Sequence, residues 1–454
     1  MTVRHPAFAA LLACAPLLAA CQQASTPPAA PAASAASAAS VPVAPQPESA
    51  GASSPPEEDF DGLLPPMSEW ALPDDASLPE GARLLNYGGA AQPWIAKLRR
   101  LAAARGKAPE TPAADASPPE VLRIVVLGDS HTAGGFMTDA LRHRLQARLG
   151  NAGPGWAQAA RIKGQNTSVI SYAGWTPSSS RHNDAGEFTV GGVNATSDGG
   201  ELHIGARAWG PMQLSFIARS DNPGVPLYVR EESSTSDWQR MGVGEQPGWQ
   251  LLTLPALVRP PLLVRDPLSR WTLAAVGLEN GWPGATVSAM GINGAQIGET
   301  GKWRSGWTQE LALMRADLVV LEYGTNEAWG RGEIPWDTLE RHWQRTLKGI
   351  RSALPQAGIL IMAPPGGLFS QEGECGQTPP HMAQMQAFEH RLAQRHSALY
   401  WSWQDAMGGA CSMKRWQNSG LVGGDGVHFT REGYWRIGGL LADAILAQGA
   451  GSWR

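Results

Sequence analysis

The period of the hydrophobic positions changes several times along the chain, and these changes outline the fold. Leu122 to Leu127 is a short apolar run rich in β-branched residues, the pattern of a strand buried on both faces. It stops at Gly128-Asp129-Ser130, and after Gly134-Gly135 apolar residues recur every four positions at Met137, Leu141, Leu145 and Leu149. With Arg142, Arg144 and Arg148 off that ridge, the spacing predicts an amphipathic helix. From about residue 163 to 280 helical periodicity disappears. Short alternating runs such as Glu201-Leu-His-Ile and Pro226-Leu-Tyr-Val-Arg replace it, separated by Gly, Pro, Asn, Asp and Ser clusters. Strands and helices then alternate again. Ala285–Met290, Asp317–Tyr323, Gly358–Ala363 and Ala398–Trp403 read as strands, with helices over Trp336–Leu354, Met382–His396 and about Glu432–Ala447. Such alternation predicts a parallel three-layer α/β sheet, and the interval predicts a β-sandwich inserted into it.

Both ends of this picture are set by composition. Arg4 and His5 precede an apolar run from Phe8 to Ala20, too short to span a bilayer and shaped like a secretory signal. It ends Leu18-Ala19-Ala20-Cys21, which resembles the lipobox at which bacterial lipoproteins are cleaved and lipidated on the Cys. Residues 22 to 79 are Ala, Pro, Ser and Gly with almost no aromatics, a composition unable to offset its ordering entropy and therefore expected as a disordered tether. The division expected is thus a signal over 1–20, a tether over 21–79, a first α/β segment over 80–162, a β-rich insert over 163–280 and a second α/β segment over 281–454. Trp94 to Arg105 reads as a helix packed beside the first strand.

Charge and cysteine usage narrow the chemistry. Charged residues are 17% of the chain and net charge is −4, which gives no basic footprint for nucleic acid. Of the 4 cysteines, Cys375 and Cys411 remain once Cys14 is removed with the signal and Cys21 is lipidated, and a pair in an exported chain is most simply a disulfide. Closing that loop contributes roughly 3–4 kcal/mol in the chain-entropy account. No Cys-x-x-Cys or His-Glu-x-x-His exists, so no metal or other cofactor is expected. The 19 Trp outnumber the 6 Tyr, and those of the insert (Trp175, Trp209, Trp238, Trp249, Trp271) are either core or sugar-stacking platforms.

Four blocks in order carry a resemblance. Gly128-Asp129-Ser130 lies on a strand-to-helix turn; Gly291-Ile-Asn-Gly294 is a Gly-rich turn after a β-prone run; Gly324-Thr-Asn326-Glu327 follows a buried strand; Asp425-Gly-Val-His428 precedes the closing helix. This set resembles the GDSL, or SGNH, hydrolases, named for a Ser, a Gly, an Asn and a His. The resemblance implies a flavodoxin-like parallel sheet and serine-ester chemistry. Ser130 would be the nucleophile, His428 its base, and Asp425 the carboxylate that holds the imidazole, set beside it by an i, i+3 helical turn. The oxyanion donors would be the backbone N–H groups of Ser130 and Gly294 and the Asn326 amide, with Gly291 a competing alignment for Gly294. Glu327 stands where the family usually has Asp. His131 has no role derivable from the sequence.

Gly-Asp-Ser-His-Thr-Ala-Gly, Gly153-Pro-Gly-Trp156, Gly291-Ile-Asn-Gly-Ala-Gln and the long insert further resemble the peptidoglycan O-acetylesterase branch, over roughly residues 90 to 450. The resemblance implies release of acetate from the C6 hydroxyl of N-acetylmuramic acid. The expected partners are an O-acetylated glycan polymer and, through a lipid anchor, the inner or outer membrane on the periplasmic side. Two other readings fit the same residues: an acetyltransferase using the same serine, and a glycan-binding lipoprotein with a vestigial hydrolase core. Trp329 and Trp336, just beyond Asn326, are candidate stacking positions.

Overall fold

The computed structural model describes residues 78–88, 92–104, 119–165, 170–183, 186–206, 210–222, 224–235, 237–243 and 248–450. The signal segment, Cys21 and nearly all of the expected tether lie outside them, as does Trp209.

Alternation along the strand Val121–Gly128 (β1) divides the interior in two. Leu122, Ile124 and Val126 face a core shared with helices α1 (Pro93–Ala104), α2 (Phe136–Leu149) and α5 (Arg431–Ala450). Val125 and Leu127 face the opposite core, which holds helices α3 (Trp336–Ala353) and α4 (Met382–Arg395). Burial on both faces explains why β1, β3 (Leu318–Glu322) and β4 (Gly358–Ala363) read as continuous apolar runs. With β2 (Gly284–Gly291) and β5 (Leu399–Ser402) these strands form a parallel array in the order β2-β1-β3-β4-β5. That is the flavodoxin-like order. It places a crevice beyond the carboxyl ends of β1 and β3, where the winding direction reverses.

The ridge expected on α2 is in place, with Met137, Leu141, Leu145 and Leu149 all buried. Arg142 and Arg144, expected off that ridge, are buried too, because α2 is covered by α5 as well as by β2. Each arginine is compensated, by Asp139 at 2.6 Å and by Asp443 at 2.9 Å.

Between α2 and β2 the described residues contain no helix. The strand Gly155–Gln158 joins β2 by one parallel bridge and runs antiparallel to Trp271–Glu279. Trp271–Glu279 pairs in turn with Met212–Ser220 and Val193–Thr196, so the large sheet continues from the catalytic half into the insert. A second, wholly antiparallel sheet of 5 strands faces it, in the order Gln239–Val243, Pro226–Glu231, Leu262–Arg265, Glu201–Ala206, Ile170–Ala173. Leu202, Ile204, Leu227, Val229 and Val264 from this sheet share a core with Leu214, Phe216 and Leu273 from the other. Trp175 and Trp271 are buried there at 3% and 1% exposure, so these two fill the core. Among the described residues no helix is long and apolar enough to cross a membrane.

Candidate active site

Backbone geometry at the end of β1 creates the turn that bears Ser130. Gly128 allows it: a Cβ there would collide with the Thr132 hydroxyl and with Glu322 at the end of β3. Asp129 then caps the short helix Ser130–Ala133, its carboxylate accepting the His131 N–H at 2.9 Å. Ser130 is left half-buried, at the first helical position, with its hydroxyl turned to His428.

His428 Nε2 lies 2.9 Å from Ser130 Oγ, and its Nδ1 lies 2.7 Å from Asp425 Oδ2. The other Asp425 oxygen accepts the N–H groups of Val427 and His428, each at 3.0 Å. The helical turn expected around this pair is absent. Gly426 has φ +69°, which breaks any helix, and the carboxylate organises a non-helical loop closed by a Val422–Phe429 bridge. Burial raises the Asp425 carboxyl, but the hydrogen bonds from the His428 ring and from the two N–H groups outweigh it and bring it to about 2. The same hydrogen bond raises the His428 imidazole above its ordinary value, against the lowering effect of burial. The loop is held from outside as well: Gly426 accepts Leu368 N–H at 2.9 Å, and the segment after Leu368 carries Cys375, joined to Cys411 with Cα atoms 4.4 Å apart.

The second and third blocks meet the first through Asn326, the second residue of the short helix Thr325–Trp329 after β3. Its amide donates to Asp129 Oδ2 at 3.0 Å and to Ala295 O at 2.9 Å, spanning the turn that bears Ser130 and the turn that bears Gly294. Ile292 N–H adds a bond to Gly128 O at 3.0 Å. The two candidate glycines differ in kind. Gly291 ends β2 against the Asp129–Ala133 backbone, where a Cβ has no room, whereas Gly294 turns with φ +73° and faces only the Arg181 side chain, at 3.6 Å. Glu327 fastens the same two blocks, accepting Gly324 N–H at 3.1 Å and Ile297 N–H at 2.7 Å. Reaching both from one carboxylate gives the longer side chain a use at the position where Asp is usual. Burial raises its carboxyl to about 7.

Behind Ser130 lies a set of buried groups that sequence reasoning missed. Glu322 accepts the Asp129 N–H at 3.2 Å and the Thr132 hydroxyl at 2.9 Å. Burial pushes the carboxyls of Asp129 and Glu322 up, Glu322 well above its ordinary value. Glu389 on α4 is also fully buried, with neither carboxylate oxygen hydrogen-bonded, and burial pushes it up strongly. The legible signal was a charged residue closing the apolar run Leu318-Val-Val-Leu-Glu322. His131 belongs to this layer. It is fully buried, its Nδ1 is 2.9 Å from the Tyr434 hydroxyl, and its ring packs against Trp403, Phe429 and His428. Burial, and then the charge of His428, lower it to about 3, so it stands neutral beside His428. The two tryptophans after Asn326 pack on other aromatics: Trp329 edge-on to Phe369, and Trp336 on Phe388.

Comparison with known proteins agrees with this geometry. Residues 260–436 match the GDSL-like lipase/acylhydrolase family, and residues 152–262 match the N-terminal domain of peptidoglycan O-acetylesterases. A solved structure of a peptidoglycan O-acetylesterase is 39% identical, covers 79% of this chain and 97% of its own, and superposes with a TM-score of 0.70. The chain belongs to the peptidoglycan O-acetylesterase family of GDSL-like acylhydrolases. Ser130 lies outside both matched segments, and the fold brings it to His428. An acetyl xylan esterase (16% identity, 34% of this chain and 78% of its own, TM-score 0.28) and a carbohydrate acetylesterase from Sinorhizobium meliloti (16%, 35% and 77%, 0.26) are more remote. No curated protein sequence matches the chain significantly. As a family member it is a carboxylic ester hydrolase, of mixed α/β fold with an additional sheet.

Proposed function

We propose that this esterase removes the acetyl group from the C6 hydroxyl of N-acetylmuramic acid in peptidoglycan, with Ser130 as nucleophile, His428 as general base and acid, and Asp425 as the group that orients and charges His428. The observation that carries the reading is the Ser130 Oγ–His428 Nε2 separation of 2.9 Å, with Asp425 on the opposite ring nitrogen, in a chain akin to a peptidoglycan O-acetylesterase. Ser130 Oγ attacks the acetyl carbonyl as its proton passes to His428 Nε2. The imidazolium, stabilised by Asp425, then protonates the departing sugar oxygen, leaving an acetyl-serine. A water deprotonated by His428 attacks that ester in turn, and acetate leaves as Ser130 recovers its proton. The Ser130 and Gly294 N–H groups and the Asn326 amide are the proposed oxyanion donors. Asn326 already holds two acceptors, so the oxyanion would draw one of its N–H groups from Asp129 or Ala295.

The reading extends to location. The Leu-Ala-Ala-Cys21 lipobox and the following tether support an envelope lipoprotein whose catalytic part reaches the wall from a membrane anchor. The deciding experiment is acetate release by the full-length chain and its Ser130→Ala variant from O-acetylated peptidoglycan and from acetylated xylan. Ser130-dependent release in clear preference from peptidoglycan is expected. Equal release from both polymers would refute the substrate. Release that requires an added sugar acceptor would favour a transferase, and no release from either would favour a glycan-binding protein.

A further inference from the structure

We infer that Arg181, carried by the inserted half of the chain, is a substrate-binding residue that holds a carboxylate of the polymer beside the scissile acetyl ester. This rests on the reading above of the chain as an esterase of an anionic wall glycan.

The placement of Arg181 is built from buried contacts between the insert and the segment that follows Gly294. Ser180, next in sequence, donates its hydroxyl to Glu299 at 2.6 Å and accepts the Trp303 indole N–H at 3.1 Å, with Ser180 and Glu299 both buried. The Ser180 N–H is bound to Gly192 O at 2.9 Å, and Arg181 N–H to Ser179 Oγ at 3.2 Å. A turn of the insert is therefore fixed on the catalytic half. From it the Arg181 guanidinium extends over the Gly294 turn: Nε and Nη2 are both 3.6 Å from where a Cβ of Gly294 would stand, and nothing else outside Gly294's own neighbours comes within 4 Å of that point.

The guanidinium is exposed, and among the described residues no carboxylate or other acceptor pairs with it. Arg123, Arg142 and Arg144, which hold structure together, are each paired with an acid at 2.9 Å or closer. Arg181 is a planar fork of donors without an acceptor among the described residues, on an anchored turn, over the proposed oxyanion glycine. A carboxylate matches that fork with two parallel hydrogen bonds. Peptidoglycan supplies carboxylates on its lactyl groups and stem peptides, within the same polymer that carries the acetyl ester.

The test compares the full-length wild type with Arg181→Ala and Arg181→Lys on three substrates: O-acetylated peptidoglycan, the same polymer with its carboxylates converted to methylamides, and uncharged p-nitrophenyl acetate. Arg181→Ala is expected to lower kcat/KM about tenfold on the native polymer, the worth of one charged hydrogen-bonded pair, mostly through KM. The amidated polymer and the aryl ester should be unaffected, and Arg181→Lys should fall between. Equal loss on all three substrates would overturn the inference, since Arg181 would then act on the acyl group or the fold. No loss on the native polymer would overturn it as well. Failure of the peptidoglycan reading shows itself separately, as Ser130-dependent cleavage of p-nitrophenyl acetate with no release from either polymer. The anion preference is then read on 4-acetoxybenzoate against its uncharged amide, and Arg181→Ala must abolish it for the inference to stand.

Discussion

Carboxyl groups lie both in front of and behind the Ser130 turn, and the two sides treat them in opposite ways. In front, Asp425 is exposed, accepts two backbone N–H groups and an imidazole, and is held near 2. Behind, Asp129, Glu322 and Glu389 are fully buried, and desolvation pushes all three up. The residue types are the same, so the number of donors and the access of water decide the charge. In the proposed mechanism the front supplies a negative charge that stabilises the imidazolium as it forms. At the back, Asp129 and Glu322 accept the N–H, hydroxyl and amide groups that fix the Ser130 turn and tie it to Asn326. Lesions in front should therefore cost turnover and little stability, and lesions behind the reverse.

Asp425→Asn tests the front and should have the largest effect, a drop in kcat of about 10³–10⁴-fold. Because Asp425 raises the His428 imidazole, activity in the wild type should rise with pH through an inflection above the ordinary imidazole value. In the variant that inflection should move down, since the charge that stabilises the protonated ring is gone. An unmoved inflection in the kcat/KM profile would mean that Asp425 does not charge the base. Asp425 is exposed, so thermal unfolding should change little.

Asn326→Ala lies on the boundary between the two regions and should combine their effects. As an oxyanion donor Asn326 is worth about 10²–10³ in kcat. As the bridge between Asp129 and Ala295 it also satisfies a buried carboxyl, and losing that donor should cost about 1–3 kcal/mol, read by denaturant titration. Loss of turnover at full stability would detach the oxyanion role from the scaffold, whereas loss of stability alone would remove Asn326 from the chemistry.

The front of this site was legible in the sequence and the back was not, for a physical reason. Ser130 and Asn326 each follow the end of a buried apolar run, so strand periodicity places them on one edge of a parallel sheet, whereas His428 lies in a Gly-rich loop and was found from the Asp425-Gly-Val-His428 block before the closing helix. The order β2-β1-β3-β4-β5 follows from the same runs plus the family resemblance. The helical turn expected for Asp425 and His428 was wrong because spacing i, i+3 carries no information on φ, and Gly426 at +69° takes the chain out of the helix. Glu322, Glu389 and Tyr434 converge from β3, α4 and α5, and no local pattern in one segment records a partner that far along the chain. His131 illustrates the limit: its neighbour Ser130 was found from the turn, but its own partners are Tyr434 and Trp403.

His131 gives a pH signature for the buried side. Its imidazole is depressed to about 3 from 6.5, so the unfolded chain binds a proton that the native one refuses between these values. Native stability from this group is thus complete above 6.5 and lost as pH falls toward 3, by several kcal/mol at most. His131→Gln keeps a donor and an acceptor for Tyr434 but cannot titrate. Its midpoint of urea unfolding should fall less steeply than the wild type between pH 6.5 and 4. Parallel slopes in the two proteins would mean that His131 is not excluded from water.

Glu389→Gln should have the smallest effect, because the Glu389 carboxylate makes no hydrogen bond and has no role in the proposed mechanism. Burial raises its carboxyl first, and the nearby charges of Glu327 and Asp129 raise it further. A carboxyl whose native value is raised stabilises the fold below its unfolded value, near 4.5, and loses that contribution as pH rises through the native one. Each pH unit in that window tilts stability by at most about 1.4 kcal/mol. Gln cannot ionise, so the variant should match or fall slightly below the wild type near pH 4.5, where its extra N–H groups are a small burden. It should then gain steadily on the wild type toward pH 8, by a few degrees in Tm, with kcat unchanged. A constant offset across that range would mean that Glu389 ionises as readily in the native protein as in the unfolded chain, and the contrast between the two sides of Ser130 would then reduce to Asp129 and Glu322.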